Sequence, residues 1–290
     1  MAERRPTFDL QSHSTRSDGE LTPKEVVDAA AEAGVTLLAL TDHDTVDGVQ
    51  EAAEAAARRD IELVPAAEIS ALHGDYEDFH ILGYRLNYGA PDLLSALGDF
   101  RRDRDDRAHA MAAKLGELDF AVDDELLDER RRSGAPIGRP HLAQAVLADA
   151  NNDVRLQREN IDDVGGFIER YLVPGAPAYL PRSRPTVDEA IELIHAADGV
   201  AVWAHPFWDL ATIDDVLSTF QDFVDQGLDG VEAFYPMHDE EQTVALADAA
   251  EARGLLTTGS SDFHGPDHRL FNRFRAHDLY GRTPRLGPIA

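Results

Sequence analysis

Gly34-Val35-Thr36-Leu37-Leu38-Ala39-Leu40-Thr41-Asp42-His43-Asp44 is the stretch from which the fold class follows. Val35 to Leu40 is a short, nearly uninterrupted apolar run, bounded by a glycine and four polar residues. A strand buried on both faces has this pattern, and such strands belong to parallel sheets whose connections are helices. The flanking segments agree. Thr22-Pro23-Lys24-Glu25 is a capping box with proline at the first helical position, opening a helix that runs to Gly34. Phe8 to His13 before it is a short strand ending in polar residues. Ala52 to Arg59 is the next helix, and Ile61 to Ser70 and Phe79 to Leu86 are further strands.

The alternation resumes after residue 185. Thr186-Val187-Asp188-Glu189 is a second capping box, and its helix ends near Gly199. Val200 to Ala204, Gly230 to Tyr235 and Leu255 to Ser261 are strands, separated by helices over Asp214 to Gln226 and Asp239 to Arg253. Strands alternating with helices imply an α/β fold with a parallel sheet, and this many repeats suit a barrel. Residues 92 to 180 differ: they are charged, rich in Arg and Asp, helical in period and without a clear strand. The expected organisation is a barrel built from 1–91 and 181–290, with 92–180 as a helical insertion or subdomain.

Composition narrows the chemistry. A chain of 290 residues, 43% hydrophobic, is long enough for a buried core. Nothing approaches the roughly 18 apolar residues of a membrane span, and Met1 to Arg5 lead into no signal-like segment, so a cytoplasmic protein is expected. Without cysteine, any metal must be held by His, Asp and Glu, which suits Mn²⁺, Mg²⁺, Fe²⁺ or Zn²⁺. The formal net charge is −28, Lys24 and Lys114 are the only lysines, and acid tracts such as Asp103 to Asp106 and Asp123 to Glu125 are spread along the chain. Such a surface repels itself unless salt screens it, which points to a salt-rich cell. It also argues against anionic membranes and extended nucleic-acid surfaces as partners.

Polar residues collect where the buried strands end. His13 and Asp18 follow the first strand, Asp42-His43-Asp44 the second, Glu68 the third, His205 the strand from Val200, and Asp262 and His264 the last. In a parallel barrel those ends share one face, so residues scattered along the chain would converge. Taken singly, His80 or His205 reads equally as a hydrogen-bonded histidine, and Asp9, Asp42 and Asp44 as caps or turn formers. Together they offer only nitrogen and oxygen ligands, at a density suited to two or three metals.

Asp9-Leu10-Gln11-Ser12-His13-Ser14 with Ser17-Asp18-Gly19, then Thr41-Asp42-His43-Asp44, Glu68-Ile69-Ser70, Ala204-His205-Pro206 and Ser261-Asp262-Phe263-His264 resemble the successive motifs of the PHP (polymerase and histidinol phosphatase) superfamily. Gly138-Arg139-Pro140-His141 resembles its TrpH-like branch of nucleotide phosphoesterases. The resemblance implies a distorted (β/α)7 barrel holding two or three divalent ions (Mn, Zn, Fe or Mg). By motif matching, position 11, His13, Glu68 and Asp262 would hold one metal. Glu68, His80 and His205 would hold a second, and Asp18, His43 and His264 a third. The implied substrate is a small phosphate ester: a nucleotide, such as a 3′,5′-nucleoside bisphosphate, or a short oligonucleotide end. Arg139 is the candidate for a bidentate phosphate contact and His141 for phosphate binding or leaving-group protonation, although Arg139-Pro140-His141 equally reads as a helix start. The motif departs at Gln11, where the family has histidine; an amide oxygen is a poorer ligand for Zn²⁺ or Fe²⁺ and would favour Mn²⁺ or Mg²⁺. A metal-binding barrel without turnover and a hydrolase of another bond are the alternative readings.

Overall fold

The computed structural model describes residues 6–74, 76–123, 125–128, 137–181 and 185–290, the side chain of residue 78 excepted. The chain forms two compact units, Met1–Gly98 with Pro185–Ala290, and Asp99–Arg184.

The first unit is a seven-stranded sheet in the order β1 (Phe8–Asp9), β2 (Leu37–Leu40), β3 (Glu62–His73), β4 (Tyr76–Tyr84), β5 (Val200–Trp203), β6 (Gly230–Phe234), β7 (Leu256–Gly259). Beyond β1 the chain meets β7 again, through Leu10 N to Gly259 O at 3.2 Å and a parallel bridge between Ser12 and Phe263, and the sheet curls into a distorted barrel. Leu10, Ala39, Val64, Leu82, Val202 and Ala204 fill its interior from successive strands. Ile289, fully buried, joins that cluster, and Arg85 donates to its carbonyl from Nε at 3.0 Å and Nη2 at 2.7 Å.

Helices cover the sheet. On α1 (Pro23–Glu32) and α2 (Val49–Ala56), Val26, Val27, Ala30, Ala52 and Ala55 recur at helical spacing and pack on Leu38 and Leu40 of β2. Both expected capping boxes form: Thr22 N donates to Glu25 Oε2 at 2.9 Å, and Thr186 N to Glu189 Oε2 at 3.1 Å at the start of a helix over Val187–Ala196. The helices Ile213–Asp225 and Glu240–Arg253 complete the alternation, the second stopped by Gly254 in the left-handed region.

One strand departs from the all-parallel expectation. β4 pairs antiparallel with both β3 and β5, whereas the other neighbouring pairs are parallel. Only two residues separate β3 from β4, too few for a crossover, so the two must form a hairpin. This reversal matters for His80. Lying near the start of β4, paired with Ser70, it comes to the face at which the parallel strands end. A second correction concerns Glu68, which does not end its strand. β3 parallels β2 only as far as Leu40↔Pro65 and then continues in the hairpin, so Glu68 sits just past the end of that pairing, bridged to His43.

The second unit is helical among its described residues, as expected for an insertion; residues 124 and 129–136 of the expected segment lie outside that description. The boundary falls within α3 (Pro91–Glu117), which is followed by α4 (Arg139–Ala148), α5 (Asp153–Glu159) and α6 (Val164–Tyr171). Met111, Leu115, Phe120, Val146, Phe167 and Tyr171 form its core. Buried Asn152 is satisfied by Ala121 N at 2.9 Å, Ala121 O at 2.7 Å and Val146 O at 2.7 Å, and so ties α3's exit to α4.

Candidate metal centre

Four loops and two strands bring the polar residues to one end of the barrel. The loop after β1 carries Gln11, His13 and Asp18. Its shape is set by Asp42, whose carboxylate accepts from Ser14 N, Ser14 Oγ and Ser17 Oγ, each at 2.7 Å. Gly19 closes the same turn so tightly that a Cβ would lie 2.3 Å from His13 O. Asp9 holds the opposite side, accepting from Ser261 N at 2.8 Å and Arg275 N at 2.7 Å, and Asp44 accepts from Ser70 N at 3.0 Å. These aspartates, legible as turn formers, are the buried pins of the loops that carry the site. His205 and Asp262 both adopt positive φ, 27° and 52°. For His205, which precedes Pro206, this is a strained backbone of the kind that collects at functional sites.

Glu68 is the hub. Fully buried, it points Oε2 at His13 Nε2 (3.1 Å), Gln11 Nε2 (3.0 Å) and His43 Nδ1 (3.6 Å), and Oε1 at His80 Nδ1 (2.8 Å) and His205 Nε2 (3.2 Å). Asp262 Oδ1 lies 3.1 Å from His13 Nε2 and 3.6 Å from His264 Nδ1. Asp18 stands on the solvent side, its side chain 37% exposed, 3.6 Å from His13 Nδ1, 3.6 Å from His43 Nε2 and 3.7 Å from His264 Nε2. All nine barrel residues expected at the site therefore converge. Arg139 and His141 belong to the second unit and open α4, where His141 Nδ1 accepts from Gly138 N at 3.0 Å as a helix cap would.

The electrostatics is that of a buried charge cluster. Burial alone would push the Glu68 carboxyl up, but the histidines around it, His80 and His43 foremost, hold it well below the usual range. Asp262 is likewise lowered by His264 and His13 against its burial. Burial works against charge on His13, yet Asp262 and Glu68 raise it well above the ordinary imidazole value. His205 goes up to about 9 through Glu68 in spite of burial, whereas burial takes His43 down to about 4. Like-signed and opposite charges are here crowded among buried side chains, an arrangement seldom maintained for stability alone.

The donor set fits divalent cations. One ligand atom each from His13, Asp18, His43 and His264 lie within 4.8 Å of one another, as do those of His43, Glu68 and His80. Both ring nitrogens of His13, Nδ1 of His43, Nδ1 of His205 and Oδ1 of Asp262 are buried without a hydrogen bond, although carboxylate oxygens or ring nitrogens lie nearby. Buried polar atoms are rarely left so. Nitrogen and carboxylate oxygen, with no thiolate in the chain, suit Mn²⁺, Fe²⁺, Zn²⁺ or Mg²⁺.

Three partners of the cluster are not apparent from motif spacing. Tyr235 donates its hydroxyl to Asp262 Oδ2 at 2.8 Å. Glu232, fully buried on β6, accepts from His205 N at 3.0 Å and from Ser260 Oγ at 2.6 Å, and burial raises its carboxyl to about 8. An acid inside the apolar run of β6 was a signal in itself; Tyr235 and Ser260 carry no comparable one.

Known proteins resemble this chain in sequence and fold. The PHP domain family model matches residues 9–199. The chain is 35% identical, over 89% of its length and 87% of the relative's, to a 3′,5′-nucleoside bisphosphate phosphatase of Chromobacterium violaceum. It is 32% identical to a 5′-3′ exoribonuclease of Haemophilus influenzae, with 89% and 90% of the two chains covered. Among solved structures, an amidohydrolase from Chromobacterium violaceum with bound sulfate and no metal superposes with a TM-score of 0.74 at 32% identity, covering 93% of this chain and 91% of that one. A Bifidobacterium adolescentis protein assigned as a metal-dependent phosphoesterase gives 0.72 at 27% identity, covering 96% and 100%. With the motifs in order on a distorted barrel and the family model spanning most of the chain, this protein belongs to the PHP domain family.

Proposed function

We propose that this chain is a metal-dependent phosphoesterase that hydrolyses phosphate esters of nucleotides, 3′,5′-nucleoside bisphosphates or short oligonucleotide ends among them. The observation that carries the reading is Glu68, a buried carboxylate whose two oxygens face two separate histidine groups. In this reading His13, Glu68 and Asp262 hold one metal, Glu68, His80 and His205 a second, and Asp18, His43 and His264 a third, with Mn²⁺ or Mg²⁺ suited to the oxygen-rich set and Fe²⁺ or Zn²⁺ to the histidines. Bound divalent ions there supply Lewis acidity toward the phosphate and a nucleophile at neutral pH. Glu68 keeps the two groups in register, and Tyr235 orients Asp262 through its hydroxyl. Arg139 offers a planar fork to phosphate oxygens. His141 would steady the phosphate or the leaving oxygen: with Nδ1 accepting from Gly138 N, the proton of its neutral ring is on Nε2, which can donate a hydrogen bond to either.

Small substrates suit the charge. A net −28 disfavours a long polyanion, and among the described residues no helix is long and apolar enough to cross a membrane. The acidic surface is that of a protein working in a salt-rich cytoplasm. The test is phosphate release with Mn²⁺ from nucleoside 3′,5′-bisphosphates, nucleoside monophosphates and short oligoribonucleotides, beside an N-acyl amino acid as an amide control. Turnover of at least one phosphate ester is expected, and Arg139→Ala should lower it ~10-fold or more with metal content unchanged. A metal-replete protein inert toward every phosphate ester would contradict the reading.

A further inference from the structure

Gln11 stands where the family motif has a metal-binding histidine, and its surroundings fix which way its amide faces. A carboxylate that coordinates a metal can only accept hydrogen bonds, so the Gln11 atom 3.0 Å from Glu68 Oε2 is the amide nitrogen. The amide oxygen then turns to the other side, where Ser260 Oγ lies 3.4 Å from it. Ser260 is itself held, 2.6 Å from Glu232 Oε1. All four side chains are fully buried.

We propose that Gln11 is a positioning residue and not a metal ligand: its carboxamide donates to Glu68 Oε2 and directs the remaining lone pair of that oxygen at the metal shared with His13 and Asp262. The inference rests on the metal reading above. A carboxylate oxygen has two lone pairs, so Oε2 can accept from Gln11 and still coordinate. A histidine at this position would add a ligand; the glutamine adds a hydrogen bond that stabilises the charge of Glu68 and fixes its rotamer in the buried interior. The first site is thereby left with three protein ligands, His13, Glu68 and Asp262, and open positions for substrate. Gln11 acts as the outer partners of metal ligands do, where removal costs affinity and not a binding site.

Substitution by glutamate separates the two roles by sign. If Gln11 were a ligand, Gln11→Glu would replace a neutral amide oxygen by a carboxylate and tighten Mn²⁺. If it positions Glu68, the change sets two carboxylates 3.0 Å apart where a donor stood, and Mn²⁺ should bind about 10–100-fold more weakly. Gln11→Met, of similar length but without a donor, should keep the full Mn²⁺ stoichiometry with affinity lowered in the same range. The experiment is calorimetric titration of the chelator-stripped full chain with MnCl₂, with metal analysis after dialysis and circular dichroism to verify folding. Should Gln11→Glu fail to fold, Gln11→Met decides alone. Equal or tighter binding by Gln11→Glu, loss of one metal equivalent by Gln11→Met, or unchanged affinity in Gln11→Met would each overturn the positioning role while leaving the enzyme reading in place. No Mn²⁺ uptake by the unaltered protein would overturn both.

Discussion

Glu68 touches five of the other site residues, whereas Asp18 touches three and is partly open to water. Removing a buried carboxylate from among histidines leaves their charges unpaired as well as deleting a shared ligand. Glu68→Ala should therefore lose more bound Mn²⁺ per chain than Asp18→Ala, by about one equivalent, in metal analysis after dialysis against a fixed free Mn²⁺ concentration. Equal losses would remove Glu68 from its bridging place. At this scale the sequence was most legible where residue type and position coincide: His13, His43, His205, Asp262 and His264 are ligand types beside strand ends, whereas Glu68 lies within β3, just past its parallel pairing. It was silent on Tyr235 and Ser260, whose roles depend on what lies across the barrel and which have ordinary structural uses in any sequence. Gln11 was visible as a departure, but the direction of its amide is set by Glu68, 57 positions away.

The loops succeed or fail as elements. The turn after β1 carries His13 and Asp18, is pinned by Asp42, and leaves no room for a side chain at Gly19, where a Cβ would meet His13 O at 2.3 Å. Gly19→Ala must displace that backbone, so it should cost about 1–3 kcal/mol and reduce bound metal. Gly116→Ala, near the end of α3 with nothing within 4 Å of the added carbon, should leave metal unchanged and stabilise by up to ~1 kcal/mol. Thermal midpoints and metal content of the two variants check the contrast; indistinguishable variants would refute it. The helices and buried strands were legible because caps and apolar runs mark them locally. The reversed strand was not, since Ile61 to Ser70 and Phe79 to Leu86 leave eight residues between them, enough to hide the reversal from β3, ending at His73, to β4, starting at Tyr76. A Gly-Asp pair between two apolar runs was its available signal.

Across the whole molecule the charge is the dominant property. The acidic excess of 28 is spread over the chain, and exposed pairs such as Arg16–Glu51 at 3.2 Å and Arg59–Asp28 at 2.7 Å are too weak individually to offset it. Screening should relieve the repulsion, so the thermal midpoint should rise from low to molar KCl; a flat or falling midpoint would exclude the salt-rich habitat and leave the chemistry untouched. The barrel was legible at this scale from strand and helix alternation. The role of the helical unit's Arg139 and His141 was not, because their motif reads equally as the start of a helix, which it is.

If metals held around Glu68 carry the proposed hydrolysis, turnover of a nucleoside 3′,5′-bisphosphate by the full chain before chelation, after removal of metal, and after addition of Mn²⁺ is the most direct measurement of it. The account predicts that phosphate release disappears with the metal and returns with Mn²⁺ in the unaltered protein, but returns in Glu68→Ala to no more than about a hundredth of that level. Full activity in a preparation shown by metal analysis to be metal-free, or full restoration in Glu68→Ala, would contradict it.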